Sequence, residues 1–176
     1  MKTITKTDKY LLLLALIIMG TTVACDKSEN ELKDPAPFTI ENAQYTLYKN
    51  STLSHEVDEK RSESYSAPFE IESVERVGGN LNINVAFQAG CEVNKFEILW
   101  DGLIMESYPI QTRLYIKRTI SDCIYIDAIE LATLTIDLNE LAEKIGNDQI
   151  LEAIITVSNT SKKVSMEDAD VPVSSN

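Results

Sequence analysis

The chain has one histidine, one tryptophan and three cysteines among 176 residues. A single histidine excludes multi-histidine metal sites and most triad chemistry. Basic side chains are also scarce, 16 against 28 acidic ones, for a formal charge of −12. A nucleic-acid binder needs cations to replace the counterions along the phosphates, so that class is excluded, and adhesion to anionic lipid is disfavoured on the same ground. No Gly-rich phosphate loop, Gly-x-Ser-x-Gly elbow or His-Glu-x-x-His motif occurs, and no motif implies a cofactor. Glycine and proline number only six and five, and the length suits one domain with tails.

Long apolar runs are absent but for one. Lys2, Lys6 and Lys9 precede Leu11-Leu12-Leu13-Leu14-Ala15-Leu16-Ile17-Ile18-Met19, followed by Gly20-Thr21-Thr22-Val23-Ala24-Cys25. That is the basic start, apolar stretch and small-residue cut of a secretory signal over residues 1–24, and it is too short to span a hydrocarbon core of ~20 residues. It resembles a bacterial lipoprotein signal, with lipobox Thr22-Val23-Ala24-Cys25; Thr22 departs from the usual Leu. The resemblance implies acylation of Cys25 and an outer-membrane protein facing the periplasm or the cell surface, with several acyl chains making the anchor stable. Removing 1–24 takes three Lys and one Asp, leaving 152 residues with 13 basic and 27 acidic side chains and a charge of −14. Residues 25–35 are polar and aperiodic, the pattern of a flexible tether. The acidic stretch after Cys25 is similar to the surface-export signal of Bacteroides-type lipoproteins.

From residue 36 to 157 alternation of apolar and polar residues dominates, the half-buried strand pattern. It predicts an all-β domain, a single antiparallel β-sandwich of seven or eight strands with its core over 69–157. The strands run through Phe38–Tyr48, Phe69–Val74, Leu81–Phe87, Phe96–Trp100, Tyr108–Ile116, Ile124–Ile126, Leu134–Leu138 and Ile150–Val157, with Gly78-Gly79-Asn80 as a hairpin turn. Leu81, Ile83, Val85, Phe87, Ile98, Trp100, Leu114, Ile136 and Ile155 mark the core. Residues 50–67 carry mixed charge without period and predict a long polar loop; 158–176 predict a frayed polar tail. One helix is expected over 139–145, capped by Asn139 and stopped by Gly146.

With Cys25 on lipid, Cys91 and Cys123 remain. In an oxidising envelope they read as one disulfide, against two free thiols or a metal pair short of ligands. Trp100, Met105, Tyr108 and Tyr115 are candidate ligand contacts, as an aromatic platform or as the loop over 103–109; the plainer alternative buries Trp100, against the disulfide if it reaches. His55 stands in a polar stretch without an orienting partner, so it reads as a solvated residue. Glu167-Asp168-Ala169-Asp170 lacks the Gly and the closing Glu of a calcium loop. No nucleophile or base is nameable. The expected function is a non-enzymatic, lipid-anchored binding or assembly module for an envelope protein or glycan. The alternative is a small envelope hydrolase acting on glycan or peptide through a carboxylate pair.

Gly90-Cys91-Glu92-Val93-Asn94-Lys95-Phe96-Glu97-Ile98-Leu99-Trp100-Asp101-Gly102, then Ser107-Tyr108-Pro109-Ile110-Gln111, Asp122-Cys123 and Leu134-Thr135-Ile136-Asp137-Leu138-Asn139-Glu140-Leu141 resemble, in that order, the C-terminal domain of NigD-like lipoproteins of Bacteroides-type bacteria. The resemblance covers about residues 69–157 and implies a β-sandwich and an envelope address without a mechanism. This chain departs where the family often carries His, at Asn94 and within Lys117–Ile120, and its residues 35–68 are too few for the family's N-terminal barrel. Those departures fit a disulfide at Cys91 and Cys123 and not a metal site.

Overall fold

The computed structural model describes residues 37–124 and 126–174. The leader over 1–24, Cys25 and the tether over 25–35 lie outside the described residues. In chain order come β1 (Phe38–Glu41), β2 (Tyr45–Lys49), α1 (Ser51–Lys60), β3 (Glu70–Val77), β4 (Asn80–Gln88), β5 (Cys91–Trp100) and β6 (Gln111–Cys123). β7 (Ile129–Asp137), α2 (Leu138–Ile145), a 3₁₀ turn (Asp148–Leu151), β8 (Ile154–Asn159) and β9 (Asp170–Val173) complete it. Strands dominate, and they form one sheet in the order β1-β2-β5-β6-β8-β9 and another in the order β3-β4-β7.

Alternation places one face of each sheet on a common core. Leu81, Ile83, Val85 and Phe87 of β4 and Leu134 and Ile136 of β7 cluster with Ile98, Trp100, Leu114, Ile116, Ile155 and Val157 of the larger sheet. Phe96 stands edge-on to Phe69 at 5.7 Å and tilted to Phe87 at 5.6 Å, linking the two sheets. All nine residues expected in the core are in this cluster.

The expectation of purely antiparallel pairing is corrected. β2 runs parallel to β5, and β6 parallel to β8. Each parallel pair is joined by a long crossover, through α1 and the β3–β4 hairpin in one case and through β7 and α2 in the other. Periodicity reports which face a residue occupies and is silent on strand direction. The stretch 38–48 is also two strands, not one. Asn42 accepts the backbone N–H groups of Gln44 and Tyr45 on its side-chain oxygen at 2.8 and 2.9 Å, and the chain reverses there.

Residues 50–67 are not one long loop, because 51–60 are helical. α1 has a single buried apolar anchor among its described side chains, Val57, packed with Leu99 and Tyr115 on the outer face of the larger sheet. Over 56–60 Val57 is the one apolar residue among charged ones, so the stretch reads as polar in sequence, and the contact with Leu99 and Tyr115 is what holds this helix to the sheet. Residues 158–176 are not a frayed tail either. Ser158, Asn159, Thr160 and Ser161 are buried, and β9 pairs with β8. Asn159 donates from its amide to the Phe69 carbonyl at 2.6 Å and accepts from the Ser161 N–H at 2.9 Å. Thr160 Oγ1 donates to the Ile116 carbonyl at 2.8 Å. Polar residues satisfied in this way are interior residues that composition reads as solvated.

α2 begins one residue earlier than expected, and its cap is Asp137, whose carboxylate accepts the N–H groups of Asn139 and Glu140 at 2.8 and 3.2 Å. Gly146 closes it in the left-handed conformation. Neither Ile124 nor Ile126 is in a strand, and the strand expected from Tyr108 begins at Gln111.

Candidate functional site

β5 and β6 form a long hairpin whose two ends carry the residues singled out from sequence. Trp100 pairs with Leu114 at the closed end, and Cys91 pairs with Cys123 at the open end. Trp100 is 1% exposed, and its indole N–H donates to Thr112 Oγ1 at 2.9 Å. It sits nine residues from Cys91 along an extended strand, about 30 Å away, so it does not pack on the disulfide. Tyr115 is buried on the opposite face of the same sheet, beside Leu99 and Val57. An aromatic platform from Trp100 and Tyr115 is thereby ruled out, since alternation sends them to opposite faces. Met105 and Tyr108 stay exposed on the connection between β5 and β6, where Met105 bridges to Gln111.

A group that sequence reasoning missed surrounds Tyr115. Its hydroxyl donates to Asp58 Oδ2 at 2.9 Å, and burial, then the Asp58 hydrogen bond and charge, push the phenol up to about 12 against the opposing pull of Arg113. Arg61 is buried and reaches Asp170 at 2.9 Å and Asp58 at 3.4 Å. The same guanidinium donates to the carbonyls of Lys162, Asn159 and Ala169 at 3.0–3.1 Å. Burial raises the Asp170 pKa, but the Arg61 hydrogen bond and the charges of Arg61 and Arg113 oppose it, and the carboxyl is held below its usual range. The group ties α1 to the C-terminal stretch and to the outer face of the larger sheet through Arg61, Asp58, Asp170 and Tyr115. Asp170 is thus engaged by arginine and does not belong to a solvated acidic run. His55 falls in the first half of α1, where the backbone alone is described.

Cys91 and Cys123 form a disulfide with their Cα atoms 3.9 Å apart. Beside it, Gly90 holds a φ of +97° and accepts the Ile124 N–H at 2.8 Å. A Cβ on Gly90 would lie 2.0 Å from the Ile124 carbonyl oxygen, so only glycine fits. Ala89 N–H then donates to the Ala128 carbonyl at 2.9 Å. The segment leaving this fixed corner displays Ile124, Ile126, Ile129 and Leu131 at 79, 50, 67 and 76% exposure. Four branched apolar side chains within eight residues are thus solvent-exposed on a segment that leaves the disulfide.

Among the described residues no group of three or more His, Cys, Asp or Glu could hold a metal ion, and no helix is long and apolar enough to cross a membrane. Comparison with protein-family models, curated proteins and solved structures finds no match to this chain.

Proposed function

We propose that this protein is a lipid-anchored, non-enzymatic binding module of the bacterial envelope, related to the NigD-like lipoproteins and built as a β-sandwich on a flexible tether. The exposed patch Ile124, Ile126, Ile129 and Leu131 beside the Cys91–Cys123 disulfide carries this reading. An anchored domain needs little affinity, because attachment at Cys25 and a tether of about ten residues raise the local concentration of its binding face. The carboxylates of the Arg61 cluster are engaged with arginines, which favours binding over hydrolysis. The partner in this reading is another outer-membrane protein or an envelope glycan, and the lipid itself is only the anchor.

Three measurements test the reading. Cys25→Ala should abolish fatty-acid labelling and release the protein or trap its precursor; unchanged labelling overturns the anchor. Replacing Ile129 and Leu131 together by Ser should lose cross-linking to the envelope partner while the folded domain persists. Turnover of a glycan, ester or peptide by the purified protein, lost on changing one carboxylate to its amide, overturns the non-enzymatic reading.

A further inference from the structure

We infer that the free edge of β7 is a strand-addition site for an extended polypeptide segment in which apolar and basic side chains alternate. This assignment deepens the binding reading above and rests on it. β7 is the outer strand of the three-stranded sheet, joined to β4 in unbroken antiparallel register from Ile129↔Gln88 to Asp137↔Asn80. The side of β7 away from β4 is revealed by Thr135, whose N–H donates to Gln44 Oε1 at 3.3 Å and whose carbonyl accepts from the Tyr45 hydroxyl at 3.0 Å. In an antiparallel strand the N–H and C=O of one residue point the same way, and alternate residues point to alternate sides. Thr133, Leu131 and Ile129 therefore aim their backbone groups outward as Thr135 does, and among the described residues no partner takes them.

Two features bound the guest. Gln44 and Tyr45 already occupy the edge at Thr135, so an added strand is confined to residues 129–133 and ends there. This partial cover is the usual protection of an edge, and here it stops short. The side chains of Ile129 and Leu131 stand exposed along the open stretch. A depression of about 400 Å³ beside Leu131, reaching Ser73, Asn84 and Thr133, accepts a guest side chain on that face.

Charge selects the guest. The three strands of this sheet carry Glu70, Glu72, Glu75, Glu130 and Asp137 against one cation, Arg76. Arg76 is already committed to the carbonyls of Ile150, Leu151 and Ala153. From Ile120 to Asp137 the chain holds four carboxylates, Asp122, Asp127, Glu130 and Asp137, and no Lys or Arg. Glu130 alternates with Ile129 and Leu131, so it faces the guest positions that lie between the apolar ones. A second copy of this chain is disfavoured as occupant, because each copy carries a formal charge of −12 and self-pairing over five residues is far smaller than a stable dimer needs.

The test uses the full-length protein in neutral detergent micelles and fluorescein-labelled hexapeptides. One alternates Lys and Val, one alternates Glu and Val, and one is the Lys/Val peptide N-methylated at alternate residues on its bonding edge. The Lys/Val peptide should bind, more weakly as salt is raised, and the Glu/Val peptide should not. N-methylation should weaken binding about tenfold, since it removes edge hydrogen bonds without altering the protein. Leu131→Pro removes an outward N–H that β4 does not use and should weaken binding at least as much, with circular dichroism checking the fold. Gln44→Ala together with Tyr45→Phe bares the Thr135 N–H and carbonyl and should tighten binding of an octapeptide of the same alternation. Equal binding of the N-methylated peptide, equal binding of the Glu/Val peptide, or a dimer in sedimentation that Leu131→Pro dissociates overturns the assignment. An envelope partner cross-linked equally well by wild type and Leu131→Pro also overturns it while leaving the binding reading intact; enzymatic turnover defeats that reading itself.

Discussion

Arg61 and Asp170 stand 109 residues apart in the chain and meet at 2.9 Å, the guanidinium fully buried and the carboxylate a quarter exposed. Through this contact the end of α1 holds β9 against β8. The three carbonyls that Arg61 also satisfies, from Lys162, Asn159 and Ala169, belong to the same C-terminal stretch. One side chain thus converts a polar terminus into part of the larger sheet.

Replacing Arg61 by Met should destabilise the protein by about 3 kcal/mol or more, because buried carbonyls and the Asp170 carboxylate lose their donor. Urea unfolding measures the loss. Hydrogen exchange should show it first at Val157–Asn159, where β9 lets go. Arg61→Lys should rescue only part, as one ammonium cannot reach as many acceptors as a guanidinium fork.

Reduction of the Cys91–Cys123 disulfide should lower stability by roughly 4 kcal/mol on the chain-entropy view. Removing it with Cys91→Ser and Cys123→Ser together should also loosen the segment around Ile124, measured as faster proteolysis there. Gly90→Ala should resemble this locally, costing roughly 1–3 kcal/mol with the disulfide intact, because no Cβ fits against the Ile124 carbonyl.

Trp100 is the only tryptophan, and its burial makes its emission a direct readout. The native protein should emit in the blue and resist iodide quenching, and urea should shift emission to the red. Trp100→Ala should cost about 3–5 kcal/mol. A native spectrum already red and readily quenched would contradict the buried position.

Asp137 gives a signed pH dependence. Hydrogen bonds from the Glu140 and Asn139 N–H groups hold its carboxyl below the ordinary aspartate range. A group depressed in the folded state stabilises above its unfolded value near 3.9 and loses that contribution as pH falls through the folded value. Asp137→Ala should therefore cost about 1 kcal/mol at pH 7. The gap between variant and wild type in urea midpoint should shrink below about pH 4.

Alternation in the sequence was enough to identify the β-rich class, the Gly78-Gly79 turn and every core residue expected from β4 to β8, because side-chain period on a pleated strand is local. The Cys91 and Cys123 pairing was also legible, from the cysteine count once Cys25 is set aside and an oxidising compartment is expected. Strand direction was not, since the same pattern serves parallel and antiparallel neighbours and only the crossovers place β2 beside β5. α1 and the C-terminal strand were hidden for a second reason. Val57 packs on Leu99 and Tyr115, and Arg61 reaches Asp170 across 109 residues; both contacts join segments distant in the chain, so neither is legible within its own segment. The candidate surface divides in the same way. Ile124 and Ile126 look in sequence like strand residues and lie outside any strand, while the register of β7, with its free edge and the stop at Gln44, is what sets Ile129 and Leu131 toward solvent.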